Sequence, residues 1–270
     1  MNTLNQTLNV VEHFFSIQGE GSFCGTPSYF IRMGICPLRC FFCDSKFTWK
    51  KRNEEWSLES LYNAVLRNKC KHVVITGGEP FYRENYDQLV KMASFFARDF
   101  IVTIETTGIY DPEQIYMNTL FDNLNKFEKD ILDYSLEDDI DEMDNIYFSI
   151  SPKLNIEAYS ECNNKVDIST VYEFYNLRKF SKKMKKFNYK YYYKFVYSSE
   201  MMDSIESFLN KYVPDRLLHD NIFIMPETFL VDSDRTNRKN KEEAAEFCKR
   251  MGVRYSPRIH VDIWGLQRGK

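Results

Sequence analysis

Apolar positions along the chain follow two alternating rhythms. Short runs rich in branched and aromatic residues predict strands at NVVEHFF (9–15), SYFIRM (28–33), HVVITG (72–77), FIVTIE (100–105), IYFSI (146–150), YYYKFVY (191–197), NIFIM (221–225) and IHVDIW (259–264). Several are apolar at consecutive positions, the pattern of parallel strands covered on both faces. Between them the period changes to that of a helix. Ser57 can N-cap a helix that carries Leu58, Leu61, Val65 and Leu66 on one side. A second helix is expected around 84–98, with Tyr86, Leu89, Val90 and Ala93, and a third over about 238–251, stopped by Gly252. Strand–helix alternation of this kind implies an α/β fold built on a largely parallel sheet.

Two tracts break the rhythm: an acidic one at 128–144 (EKDILDYSLEDDIDEMD) and a basic one at 178–194 (RKFSKKMKKFNYKYYYK). They read as a solvated insertion and a solvated helix face that balance each other's charge. Lysines interleaved with aromatics also suit single-stranded nucleic acid. The formal charge of −3 supplies no global field for nucleic acid or an anionic membrane, so neither is expected as a direct partner. The N-terminal stretch lacks a basic segment followed by a long apolar run, and no apolar stretch is long enough to cross a bilayer. A cytoplasmic protein is expected.

Cysteine usage carries the first chemistry. Seven cysteines stand at 24, 36, 40, 43, 70, 162 and 248, an odd number and too sparse for a disulfide framework. Three of them cluster in GICPLRCFFCDSKF (34–47), with the spacing C-x3-C-x2-C. A structural zinc site wants four ligands, and the nearest histidines, His13 and His72, belong to other strands. Three thiolates can instead hold three irons of a [4Fe–4S] cluster and leave the fourth iron open to a ligand. Pro37, Arg39 and Asp44 mark a polar turn rather than a piece of core.

Three further segments end predicted strands. In ITGGEP (75–80), Gly77 and Gly78 leave backbone bare for a ligand to approach, and Glu79 adds an acceptor. IETTG (104–108) offers Glu105 and Thr106, and SPK (151–153) offers a hydroxyl on Ser151 and a cation on Lys153. Each is weak alone, since Ser-Pro and Gly-Gly are common turns.

Taken together and in this order, the segments resemble the radical S-adenosylmethionine (SAM) enzymes. That resemblance implies Cys36, Cys40 and Cys43 as cluster ligands, and Phe42, Asp44, Gly77, Gly78, Glu79, Glu105, Thr106, Ser151 and Lys153 around SAM. The implied fold is a partial (β/α) barrel with mainly parallel strands and its site at their C-terminal ends.

The stretch FFSIQGEGSFCGTPSYFIRMGIC (14–36) looks like the opening of the 7-carboxy-7-deazaguanine synthase family. CDSKFTW (43–49), MPET (225–228, with Thr228 where the family has Gly) and RYSPRIHVDIWGLQRGK (254–270) are similar to the same family. The resemblance implies a radical ring contraction. SAM is split reductively to methionine and a 5′-deoxyadenosyl radical, which takes hydrogen from C6 of 6-carboxy-5,6,7,8-tetrahydropterin; the ring rearranges with loss of ammonia, and the hydrogen is returned, giving 7-carboxy-7-deazaguanine and regenerating SAM. Ile17, Gln18, Gly19, Glu20, Arg32, Thr76 and His260 carry over as substrate contacts. Gln18 and Glu20 suit the guanine-like edge of a pterin, and Arg32 suits its carboxylate. Ser45, two residues after the third cysteine, carries over as a Mg²⁺ ligand. A homodimer and an electron donor such as flavodoxin or ferredoxin are further implications.

The expected organisation is one radical SAM domain over 1–270, with insertions around 110–145 and 155–190. Two other readings stay open on residues alone. A glycyl-radical activating enzyme would share the cysteines and GGEP but act on a protein backbone. A non-catalytic metal- or nucleic-acid-binding protein would use the basic tract.

Overall fold

The computed structural model describes residues 7–40, 43–50, 55–109, 145–154, 190–213, 220–228, 234–265 and 267–270. The acidic tract, both expected insertions and most of the basic tract lie outside them. Strand β1 (Thr7–Ile17) turns back into β2 (Pro27–Met33) as an antiparallel pair, and β3 (Glu55–Ser57) lies antiparallel along the other side of β1. On the far side of β2 come β4 (His72–Gly77), β5 (Ile101–Thr106), β6 (Ile146–Ile150), β7 (Lys190–Tyr197), β8 (Ile222–Pro226) and β9 (Arg254–Tyr255), each parallel to its neighbour. Among the described residues this is one sheet in the order β3-β1-β2-β4-β5-β6-β7-β8-β9.

Helices cover its convex face. Leu61 and Val65 of α1 (Leu58–Arg67), and Leu89, Met92 and Phe96 of α2 (Tyr86–Ala97), pack with Val73, Ile75 and Ile104 of the strands. Phe208 of α3 (Met202–Tyr212) meets Tyr193 and Phe195 edge-on, and Phe247 of α4 (Asp234–Met251) lies 5.5 Å from the ring of Tyr197. Helix α3 was not singled out by the sequence pattern. The N-cap at Ser57 closes a reciprocal box: Ser60 N–H donates to Ser57 Oγ and Ser57 N–H to Ser60 Oγ, both at 3.1 Å. Such a cap contributes about 1 kcal/mol. At the far end of α4, Gly252 takes φ +67° and Val253 N–H bonds the Cys248 carbonyl, a Schellman closure.

Two expectations are corrected. Residues 259–264 are a short surface helix, α5 (Ile259–Trp264), not a strand. Ile259 N–H donates to the Gly19 carbonyl, and Asp262 and Gly265 N–H close back onto Arg258 and Val261, so no strand partner remains for the alternating Ile-Val-Ile pattern. The described end of the basic tract is no solvated helix face either. Residues 190–194 open β7, with Tyr192, Tyr193 and Lys194 buried.

Among the described residues the parallel strands do not close on themselves. Instead, Gly21 N–H donates to Ser256 Oγ (2.9 Å), which with the Ile259–Gly19 bond joins the β1–β2 turn to the segment after β9. The sheet is therefore a partial barrel whose concave face is closed by loops. Thr76, Glu105, Ser149 and Lys194 point into that face near the C-terminal ends of their strands.

At the opposite ends of the strands, His72 is 1% exposed. Ser28 Oγ gives its hydrogen to the Thr26 carbonyl, so His72 Nδ1–H donates to Ser28 and Nε2 accepts from Thr103. The ring is satisfied while neutral, and burial pulls its pKa down to about 4, the Glu105 charge offsetting only part. The unfolded chain then binds a proton that the native ring refuses between about pH 6.5 and 4, so stability falls as pH drops through that window. The expected contribution is about 3 kcal/mol, and urea titrations of wild type and His72→Gln at pH 7 and pH 4 should show that much less acid loss in the variant.

Candidate active site

A cavity of about 960 Å³ opens at the C-terminal ends of the parallel strands. That lies at the upper end of the roughly 300–1,000 Å³ usual for small-molecule sites. Cys36, Cys40 and Cys43 line it together. Their loop is tight: Cys43 N–H donates to the Cys40 carbonyl, while Arg39 Nη1 donates to the carbonyls of Cys36 and Leu38 and its guanidinium lies 5.1 Å from the Trp49 ring centre. Burial pushes the Cys36 thiol up to about 12, with Glu79 adding to the rise, and burial raises Cys43 as well. Thiols so placed stay protonated at neutral pH until a metal displaces the proton. Among the described residues no three His, Cys, Asp or Glu side chains converge on one ion. Three thiols on one cavity wall are a donor set that suits three-point attachment of a [4Fe–4S] cluster, which takes each thiolate on a different iron.

What fixes the cysteine loop is a backbone seam. Gly78 N–H donates to the Met33 carbonyl (2.8 Å) and Glu79 N–H to that of Ile35 (2.9 Å). Asn85, fully buried, donates to the carbonyls of Gly34 (2.7 Å) and Glu79 (3.0 Å) and accepts from Asn9. A Cβ on Gly77 would fall 2.3 Å from the Met33 carbonyl, and one on Gly78 would fall 2.1 Å from that of Ile35. The glycine pair thus admits the cysteine loop itself, besides baring backbone to the cavity. Ile35 pays for the arrangement with φ +66°, a left-handed conformation that β-branched residues avoid. The Glu79 carboxylate is turned away from the cavity and accepts from Phe81 N–H, both Thr107 donors and the Thr106 hydroxyl.

The rest of the wall is a charged network. Lys194 Nζ lies 2.6 Å from Glu20 Oε2 and 3.3 Å from Glu105 Oε1. Arg258 holds Glu20 Oε1 (3.1 Å) on one side and Asp44 Oδ2 (2.5 Å) on the other. Thr76 donates to Glu105 Oε2 at 2.7 Å, and Gln18 Nε2 reaches Oε1 at 3.5 Å. Burial alone would raise the Glu20 carboxyl, but Lys194 and Arg258 hold it well below the carboxylate range. Burial likewise works against the Lys194 charge, and Glu105 and Glu20 outweigh it, raising the ammonium pKa. Burial keeps His260 neutral-leaning despite Glu20 at 3.9 Å. Arg32 pairs with Glu12 (2.9 Å) through Nε and donates from Nη1 to Ser45 Oγ at 3.3 Å.

The profile of the Radical SAM superfamily matches residues 30–229. The chain belongs to the radical SAM superfamily. A curated 7-carboxy-7-deazaguanine synthase of Pyrobaculum aerophilum is 27% identical over 97% of both chains. That of Halobacterium salinarum is 29% identical over 95% of this chain and 90% of its own. The crystal structure of QueE from Escherichia coli superposes with a TM-score of 0.54 at 22% identity, covering 93% of each chain, and so shares the fold. Membership of the radical SAM superfamily implies a [4Fe–4S] cluster and SAM as its cofactors.

Of the residues singled out on radical SAM grounds, Asp44, Gly77, Gly78, Glu105, Thr106, Ser151 and Lys153 line the cavity with the cysteines. Ile17, Gln18, Glu20, Arg32, Ser45, Thr76 and His260 line it too. Two do not: Glu79 is buried behind the wall, and Gly19 sits under His260, whose Nδ1 lies 1.9 Å from where a Cβ would stand. Phe42 lies outside the described residues. Glu105 stands with Gln18 and Thr76 rather than with Ser151 and Lys153. Lys194, Arg258 and Asn85 were missed. Lys194 had a signal, a lysine inside the apolar run YYYKFVY; Arg258 and Asn85 had none beyond their type.

Because the seam carries the cysteine loop, Gly78→Ala should disturb the loop first. Iron retained per chain after anaerobic reconstitution is expected to fall below half, while far-ultraviolet dichroism is retained. Asn85→Ala, which removes the donor to the buried Gly34 carbonyl, is expected to lower both iron content and stability, the latter by about 1–3 kcal/mol in urea titrations.

Proposed function

We propose that the chain converts 6-carboxy-5,6,7,8-tetrahydropterin to 7-carboxy-7-deazaguanine with release of ammonia, as a 7-carboxy-7-deazaguanine synthase of 7-deazapurine (queuosine-type) biosynthesis. The observation that carries the reading is the single cavity shared by three cysteines and a carboxylate–amide–hydroxyl wall of Gln18, Glu20, Thr76 and Glu105. A pterin edge presents several N–H donors side by side, and two ionised carboxylates are acceptors only, which matches that edge. The cofactors supply the radical chemistry: SAM bound beside the cluster furnishes, on one-electron reduction, the group that takes hydrogen from the substrate. Cys36, Cys40 and Cys43 would hold the cluster, with Asp44, Gly77, Gly78, Thr106, Ser151 and Lys153 around SAM. Glu79 would support this set from behind, by fixing Thr106 and Thr107.

Mg²⁺ would sit at Ser45. Arg32 donates to that hydroxyl, so a substrate carboxylate drawn to Arg32 would stand next to the ion and complete its oxygen ligands. Magnesium keeps several waters, so one protein oxygen suffices. The whole chain would act as one catalytic domain, in a cytoplasmic homodimer served by a one-electron donor of the flavodoxin or ferredoxin class. No helix among the described residues is long and apolar enough to cross a membrane.

Anaerobic protein reconstituted with iron and sulfide is given SAM, dithionite, Mg²⁺ and the tetrahydropterin, and products are read by mass spectrometry. A product lighter by one ammonia, absent for Cys40→Ala, is expected. 5′-Deoxyadenosine without that product would keep radical SAM chemistry and reject the substrate.

A further inference from the structure

Beyond the residues already assigned stands a lysine whose surroundings are unusual for its type. Lys194 is 5% exposed, on the concave face of β7, and its ammonium is shared by carboxylates from two distant parts of the chain. Glu20 follows β1 and Glu105 ends β5. Both lie within hydrogen-bonding reach of the same nitrogen, so they are close neighbours in a buried wall. Two carboxylates so placed cannot both stay ionised without a cation between them. Among the described residues the Arg258 guanidinium bonds Glu20 and Asp44 and makes no bond to Glu105.

We infer that Lys194 is the positioning residue that holds Glu20 and Glu105 together as a pair of ionised acceptors for the N–H edge of the ring substrate. The inference rests on the pterin reading above. If Lys194 were lost, one member of the pair would take a proton and present an O–H to the substrate's N–H groups, turning an acceptor into a clash of donors. Direction of ionisation agrees with the geometry: burial opposes charge on Glu20 and Lys194, and their ion pairs overcome it. The groups that bear on this pair are Arg258, His260 and Asp44 from the C-terminal segment and cysteine loop, Cys24 of the β1–β2 turn, whose thiol is raised by burial and by Glu20, Tyr192 on β7, and His72 on β4. His72 is neutral, burial pushes the Tyr192 phenol up to about 12, and His260 is pulled down, so none of them replaces the ammonium. A purely structural lysine would be expected to face its partners away from a cavity; this one lines it.

The test has two arms on the reconstituted holoenzyme. In the first, ¹³C-carboxyl glutamate signals are titrated in wild type, Lys194→Met and Lys194→Arg, with Glu20→Gln and Glu105→Gln assigning the pair. Both should be ionised through neutral pH in wild type and Lys194→Arg, and one should titrate at least about one pH unit higher in Lys194→Met. This arm does not depend on the substrate. In the second, KM and kcat for the pterin are measured against pH. Lys194→Met should raise KM about tenfold or more, with the acid limb of kcat/KM moved upward and Lys194→Arg restoring it. The change in the reduced cluster's electron paramagnetic resonance on adding SAM should be the same in all three. Unshifted carboxyls in Lys194→Met, an unchanged KM and pH profile, or loss of the SAM response together with pterin binding would each overturn the inference. A wild type that gives no pterin product would instead reject the substrate reading, with the first arm still deciding whether the lysine holds the pair ionised.

Discussion

Glu20 is the residue through which the two ends of the sheet meet. It follows the first strand, yet one carboxylate oxygen reaches Lys194 on β7 and the other reaches Arg258 beyond β9. Among the described residues nine strands form a sheet with no closing ladder, and it is drawn into a bowl by loop contacts: the Gly21–Ser256 and Ile259–Gly19 bonds, and Glu20 through its charge. The depth of the cavity follows from that closure. Were the β1–β2 turn to swing away, the wall of Gln18 and Glu20 would leave with it, while the cysteine loop, tied at the ends of β2 and β4, would stay. Two parts of one site are therefore held by different devices, bridged at Arg258, which bonds Asp44 of the cysteine loop as well as Glu20.

The second device is neutral and backbone-made. Gly77 and Gly78 bring the end of β4 so near to Met33–Ile35 that no Cβ fits between, and Asn85 seals the remaining carbonyls. Its cost is visible at Ile35, whose left-handed backbone is of the kind worth about 1–3 kcal/mol and tolerated where surrounding bonds over-determine it. Glu79 belongs to this device rather than to the cavity. Four hydrogen bonds fasten its carboxylate to Phe81, Thr106 and Thr107, so the ends of β4 and β5 are coupled behind the site.

Much of this is legible in the sequence, because it is written in local pattern. The apolar runs at 72–77, 146–150 and 221–225 are strands because each must be covered on both faces, and their neighbours are parallel for the same reason. C-x3-C-x2-C and the strand-end segments mark the cavity because parallel strands deliver their C-terminal ends to one rim. What was not legible is what depends on contacts remote in sequence. Ile259–Trp264 alternates like a strand, and only the Gly19 carbonyl, some 240 residues away, starts it as a helix. Gly19 reads as a place for substrate to approach, yet the space it leaves is filled by His260. Lys194 sits at the end of a basic tract and takes on the character of the strand, not of the tract. Composition averages over such residues; register does not.

Register also explains why a charged network can persist in a wall that would be as stable if apolar. Replacing a buried ion pair with well-packed hydrocarbon is often neutral or stabilising, so stability alone does not account for Glu20, Lys194, Glu105 and Arg258. What apolar residues cannot supply is a row of acceptors with fixed charge state facing a cavity that also holds three thiols. A peptide backbone, the substrate of a glycyl-radical activating enzyme, offers one N–H per residue and alternates it with a carbonyl; it has little use for two adjacent carboxylates. A planar ring with adjoining N–H donors does. The network's expense in desolvation is thus matched to a ligand rich in donors, which places the choice of substrate in the wall between β1, β5 and β7 and leaves the radical chemistry to the cysteine loop.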